Sequence, residues 1–173
     1  MNAQPKTAAL IDTIHANPPT SETAHRLVHA ANRLLPHFEA GQAIDAKTLR
    51  AAMEAAFGAS DTSGAWVWKD AYDAVEIAQI MMITRYGALM RKQAASPAQF
   101  LSMIERLSTL APSHTRRSED SVRLQQFSTP LPLAAIVAEA AGFRASDLVL
   151  EPSAGTGMLA VFGQIAGADI ALN

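Results

Sequence analysis

Up to about residue 111, apolar positions recur three and four apart and are interrupted at regular intervals by turn residues, which predicts a series of helices. The first spans roughly Ala3 to Ala16, with Leu10, Ile11 and Ile14 on one face. It stops before Asn17-Pro18-Pro19, because a residue preceding proline is pushed out of the helical region. The second opens at Thr20 or Ser21 as N-cap, has Glu22 in its first turn, and presents Leu27, Val28, Leu34, Leu35 and Phe38 before Gly41. The third runs from an Asp45 cap through Leu49, Met53 and Phe57 to Gly58. The fourth is long, from about Ala65 to Gln93, or ~43 Å at the helical rise. Its apolar positions (Trp66, Val67, Tyr72, Val75, Ile80, Met81, Ile83, Met90) surround more than one face, as a central bundle helix with several neighbours requires. In the fifth, Ser96 can cap, Pro97 takes the first helical position and Gln99 completes a capping box.

The pattern then changes. Pro112 to Asp120 is almost free of apolar residues and reads as a linker. Beyond it, Leu133 to Ala141 reads as a helix closed by Gly142, Leu148-Val149-Leu150 as a short buried strand, Gly157 to Ile165 as a helix and Ala168 to Leu172 as a second strand. Helix, strand, glycine turn, helix and strand in that order open an α/β fold. The predicted fold is therefore mainly α: a helical domain over residues 1–114, a linker over 115–130, and the start of an α/β domain over 131–173.

Composition narrows the classes of function. With 49% hydrophobic and 17% charged positions among 173 residues, the chain can bury a core, and its 35 alanines favour helix. Fourteen Lys and Arg against sixteen Asp and Glu are too balanced for polyanion binding by overall charge, so any nucleic-acid contact must be local. Arg116, Arg117 and Arg123, with His114, form the basic cluster that could touch a DNA backbone; a solvated linker is the other reading. No cysteine is present, which excludes disulfides, thiolate zinc sites and iron–sulfur clusters. The most apolar window, Ala71 to Met90, carries Asp73, Glu76, Gln79 and Arg85 and does not read as a membrane span. Met1 to Ala16 lacks a basic head followed by an apolar run, so no signal peptide is expected and a cytoplasmic location is.

Candidate chemistry lies in Leu148-Val-Leu-Glu-Pro-Ser-Ala-Gly-Thr-Gly157. A strand that turns into a helix through Gly155 and Gly157 lets the backbone approach a ligand, and amides at the helix start can face an anion. Several cofactor families share such turns. The residues ahead of the glycines are more telling: Glu151-Pro152-Ser153-Ala154-Gly155-Thr156-Gly157 resembles the cofactor-binding first motif of S-adenosylmethionine-dependent methyltransferases, especially those acting on the exocyclic amine of adenine in DNA. Gln125-Gln126-Phe127-Ser128-Thr129-Pro130 resembles the segment that the modification subunits of type I restriction systems carry ahead of the first strand, preceded by a helical domain. Over residues 118–173 the wording is most similar to large bacterial methylase-helicase proteins of the strawberry-notch-like group.

The resemblance implies a Rossmann-like methyltransferase domain and S-adenosylmethionine as cofactor. It implies that Phe127, Thr129 and Pro130 pack around the cofactor, with Thr129 at its methionine carboxylate. Glu151 and Pro152 would then lie near its amino group, and Ala154, Gly155, Thr156 and Gly157 against its backbone. DNA would be the partner, through a longer parent protein. Two family features are missing. The acidic residue that ends the second strand and holds the ribose would fall at or beyond Asn173, and the Asp/Asn-Pro-Pro-aromatic catalytic motif is absent after residue 157. Asn17-Pro18-Pro19-Thr20 imitates that motif but has no aromatic residue and no preceding strand, so it reads as a helix breaker. The chain is thus expected to be the catalytically inactive N-terminal part of a DNA methyltransferase.

Other readings stand beside this one. The first is a non-enzymatic helical module that docks a partner subunit or the rest of a larger DNA-processing protein. The second is a dinucleotide site, since Gly155 to Ala160 also fits G-x-G-x-x-A, although the acidic residue expected about 20 positions on is represented only by Asp169, which comes early. His25 and His29 share a helix face, but Arg26 stands where metalloproteases carry a Glu and His37 lies on a different face, so no metal site is expected. Trp66, Trp68 and Tyr72, and the methionines Met81, Met82, Met90 and Met103, read as core packing.

Overall fold

The computed structural model describes residues 22–112 and 128–172. Local chemistry sets most of the element ends. Helix α1 spans Glu22–Glu39; the expected Thr20 or Ser21 cap and the Ala3–Ala16 helix lie outside the described residues. Helix α2 spans Ala46–Phe57, with Asp45 accepting the Thr48 N–H at 2.7 Å and Gly58 closing it at φ 76°. A single 3-10 turn, Asp61–Ser63, precedes the long helix α3, Trp68–Gln93. That helix begins three residues after the expected Ala65, because the Asp70 carboxylate accepts the Val67 N–H at 2.9 Å and fixes the first turn there. In α4, Pro97–Thr109, Ser96 accepts the Gln99 N–H at 3.2 Å as predicted. Gln99 reaches back one residue further than a capping box requires, to the Ala95 N–H at 2.6 Å.

Helix α5, Leu131–Ala141, starts two residues early, since Pro132 fits a first turn where its missing N–H has no partner to lose. Gly142 ends it at φ 63°. Strand β1 (Leu148–Glu151) and strand β2 (Asp169–Leu172) are parallel, with Leu148 opposite Asp169 and Glu151 opposite Leu172, and helix α6 (Ala160–Ile165) joins them. Parallel neighbours need such a crossover. Helix α6 starts later than the predicted Gly157, although the Val161 N–H already bonds the Gly157 carbonyl at 3.0 Å.

Helix α3 is the hub: α1, α2, α4 and α6 all pack on it. Arg85 and the Tyr86 hydroxyl both reach Glu39 of α1, at 2.6 and 2.9 Å. Arg91 reaches Glu139 of α5 at 2.9 Å and lies over the Phe100 ring. Gly87 brings α6 close, since a Cβ there would stand 2.8 Å from Ile165 Cδ1. Gly163 does the same for β2, where the added atom would meet Ile170 Cδ1 at 2.7 Å. The buried cluster therefore runs through both sides of residues 113–127, from Leu34, Leu49, Met53 and Ile104 to Leu131, Met158 and Phe162.

Trp66 is buried and donates its indole N–H to the Ala59 carbonyl at 3.0 Å, while Trp68 stacks edge-on against it and donates to Asp61. Both tryptophans and Tyr72 are thus packing residues, as their spacing predicts. Met81, Met82 and Met90 likewise pack on the core. Among the described residues, no helix is long and apolar enough to cross a membrane.

Candidate functional site

The two parallel strands run in the same direction, so their carboxyl ends, Glu151 and Leu172, lie side by side. In α/β sheets this is the edge outside which ligands bind. The chain leaves β1 there and turns at once: the Glu151 carboxylate accepts the Ser153 N–H at 3.0 Å, and the backbone then passes through Gly155 at φ 52° and Gly157 at φ 93°. Residues with a Cβ rarely adopt those angles, so the two glycines are a backbone requirement. Among the described residues, a Cβ built on either would meet no atom within 4 Å beyond its own chain neighbours, so on that side the turn is open to them. One amide expected to face a ligand is already used, because the Gly157 N–H donates to the Ala154 carbonyl at 2.7 Å.

Between the two glycines, the Thr156 hydroxyl donates to Glu76 Oε2 of α3 at 3.0 Å. Ser128 lies near enough to the same carboxylate for its hydroxyl to favour the ionised form. One glutamate of the long helix therefore stands beside both the glycine turn and the Ser-Thr-Pro segment, two stretches that the sequence analysis paired only by resemblance. Glu76 is 5% exposed. Burial raises its carboxyl above the ordinary range, against the Ser128 and Thr156 hydroxyls and Lys69, which favour the ionised form, while Asp73 adds to the rise.

Of the candidate residues, Glu151, Pro152, Ala154, Gly155, Thr156 and Gly157 form this turn, and Thr129 and Pro130 follow directly on Ser128, with Pro130 as the N-cap of α5. Phe127, Arg116, Arg117 and Arg123 lie outside the described residues. Asp169, which a dinucleotide site would need at the far end of β2, instead opens that strand opposite Leu148, at the amino end of the pair. His25 and His29 are exposed, and no group of three or more His, Asp or Glu that could hold a metal occurs among the described residues.

Glu76 is the residue that sequence reasoning missed as part of this region. A signal for it existed: Tyr72, Glu76, Gln79 and Ile83 follow helical spacing and are all buried, so an acid stands in the middle of a packed stripe. An acid in that position needs a partner. Comparison of the chain with protein-family models, curated proteins and solved structures gave no significant match.

Proposed function

We propose that the chain contributes the front part of the S-adenosylmethionine site of a DNA methyltransferase, one acting on the exocyclic amine of adenine in the cytoplasm. In this reading β1, α6 and β2 open a Rossmann-like methyltransferase domain. The carrying observation is the positive-φ glycine turn beside Glu151 at the carboxyl ends of parallel strands, with Ser128 of the Ser-Thr-Pro segment near the carboxylate that Thr156 of the turn bonds.

The residues fit such a cofactor. Its methionine end carries an ammonium and a carboxylate, and Glu151 offers a half-buried anion for the first. The open outer side of Gly155 and Gly157 allows a ligand to lie against the backbone. Bound S-adenosylmethionine would supply an electrophilic methyl group; the residues of this chain would hold and orient the methionine end.

The test is calorimetric titration of S-adenosylhomocysteine into the chain, with melting followed in parallel. Saturable one-site binding is expected, and at 100 times Kd a stabilisation of about 2.7 kcal/mol, or roughly 5–10 °C in Tm for a chain of this size. No binding heat and an unchanged Tm at millimolar ligand would overturn the reading.

A further inference from the structure

We propose that Glu76 is a positioning residue for this turn: a carboxylate on the helical bundle that holds the Thr156 hydroxyl and so sets the glycine turn against α3, on the side where Ser128 lies.

The buried Met158, with Leu159 packed beside it, fixes only the C-terminal end of the turn, and Pro152 to Gly157 have little else to hold them. Residues 152–159 form neither helix nor strand, and two of them are glycines with positive φ, the residue type with the most backbone freedom to lose. Its internal bonds, Ser153 N–H to Glu151 and Gly157 N–H to Ala154, are local and would form in many orientations of the turn as a whole. The Thr156 bond is different in kind. It spans 80 residues and ends on the long helix α3, against which α1, α2, α4 and α6 pack. Glu76 itself cannot wander, because Tyr72, Val75, Gln79 and Ile83 around it are all buried.

The chemistry also suits a fixed anchor. A carboxylate has only acceptors and two oxygens, so it can take both hydroxyls at once, and bonds to an ionised acceptor are about twice as strong as neutral ones. Without partners the same group would be an uncompensated buried acid. The helical bundle and the α/β segment therefore meet through a polar contact that rests on the turn itself, in addition to the apolar contact of Gly87 with Ile165. The ligand arm of this inference rests on the S-adenosylmethionine reading; the structural arm does not.

Hydrogen exchange on the whole chain separates the two. In Glu76→Ala, amides of residues 153–159 are expected to exchange at least about tenfold faster, with α1 and α2 amides unchanged, since exchange reports local opening. Glu76→Gln keeps one acceptor and gains a donor that hydroxyls can accept, so it is expected to return exchange to within about threefold of the parent. Should Glu76→Ala fail to fold, Thr156→Val removes the hydroxyl without touching the helix, and the same acceleration is expected.

Unchanged exchange in the turn of a folded Glu76→Ala or Thr156→Val chain would overturn the anchoring. For the ligand arm, S-adenosylhomocysteine affinity is expected to fall about tenfold in Glu76→Ala and to recover to within about threefold in Glu76→Gln, because a turn already in place has less order to lose on binding. A loosened turn with undiminished affinity would overturn the positioning role. If the parent chain binds no ligand, the cofactor reading falls and exchange alone decides the anchoring.

Discussion

The helical bundle and the α/β segment bury their apolar residues to different degrees. In the bundle, Leu34, Leu49, Met53, Val75, Ile83 and Ile104 are fully enclosed, because each helix has neighbours on more than one side. In the α/β segment, the described residues cover one face of the strand pair, with Ile170 against Gly163 of α6, whereas Leu148 and Leu150 are 77% and 67% exposed. Parallel strands are ordinarily buried on both faces. The difference teaches where stability and chemistry reside: the bundle is a closed scaffold, and the candidate site sits on an element that the scaffold holds from one side.

That contrast can be broken most forcefully in the bundle. Trp66→Ala removes a buried indole and its bond to Ala59, and is expected to cost about 3–5 kcal/mol in urea denaturation. Gly87→Leu places a bulky group where even a Cβ would crowd Ile165, and should cost about 1–3 kcal/mol. If α6 is held from the α3 side, exchange should quicken at Ala160–Ile165 before it does in α1. Ser96→Ala deletes the cap of α4 and should lower stability by about 1 kcal/mol.

A pH series sharpens the junction between the two regions. Burial raises the Glu76 carboxyl above its ordinary value of 4.5, so the folded chain holds that proton to higher pH than the unfolded chain does. Its contribution to stability therefore declines as pH rises from 4.5 through the raised value, and Glu76→Gln should remove that decline from the stability profile. Leu150→Ser, on the exposed strand face, should change stability by no more than about 0.5 kcal/mol. A loss comparable to that of Trp66→Ala would show that this face is covered in solution.

Much of the fold is legible in the sequence wherever the cause is local. Asp45 and Ser96 cap helices where they were expected to, and Gly58 and Gly142 end them. The displaced starts of α3 and α6 also have local causes. Asp70 competes successfully for the Val67 N–H, and the residues after Gly157 make a turn before they settle into helix. The glycine turn was found as a motif because its backbone angles leave little choice of residue. Glu76 was passed over because its own neighbours, Val75 and Ile77, look like any packed helix, and its partners lie far away in the chain.

The elements, their caps and the candidate turn follow from local chemistry, since each depends on residues within one or two turns of chain. Packing between distant parts of the chain set the rest: Glu76 meets Thr156 across 80 residues, Asp169 sits at the wrong end of its strand for a ribose, and Leu148 and Leu150 stay exposed. Those outcomes depend on how α3 packs against α6 and on the register of two strands. Both are long-range matters of packing geometry, which no local spacing encodes.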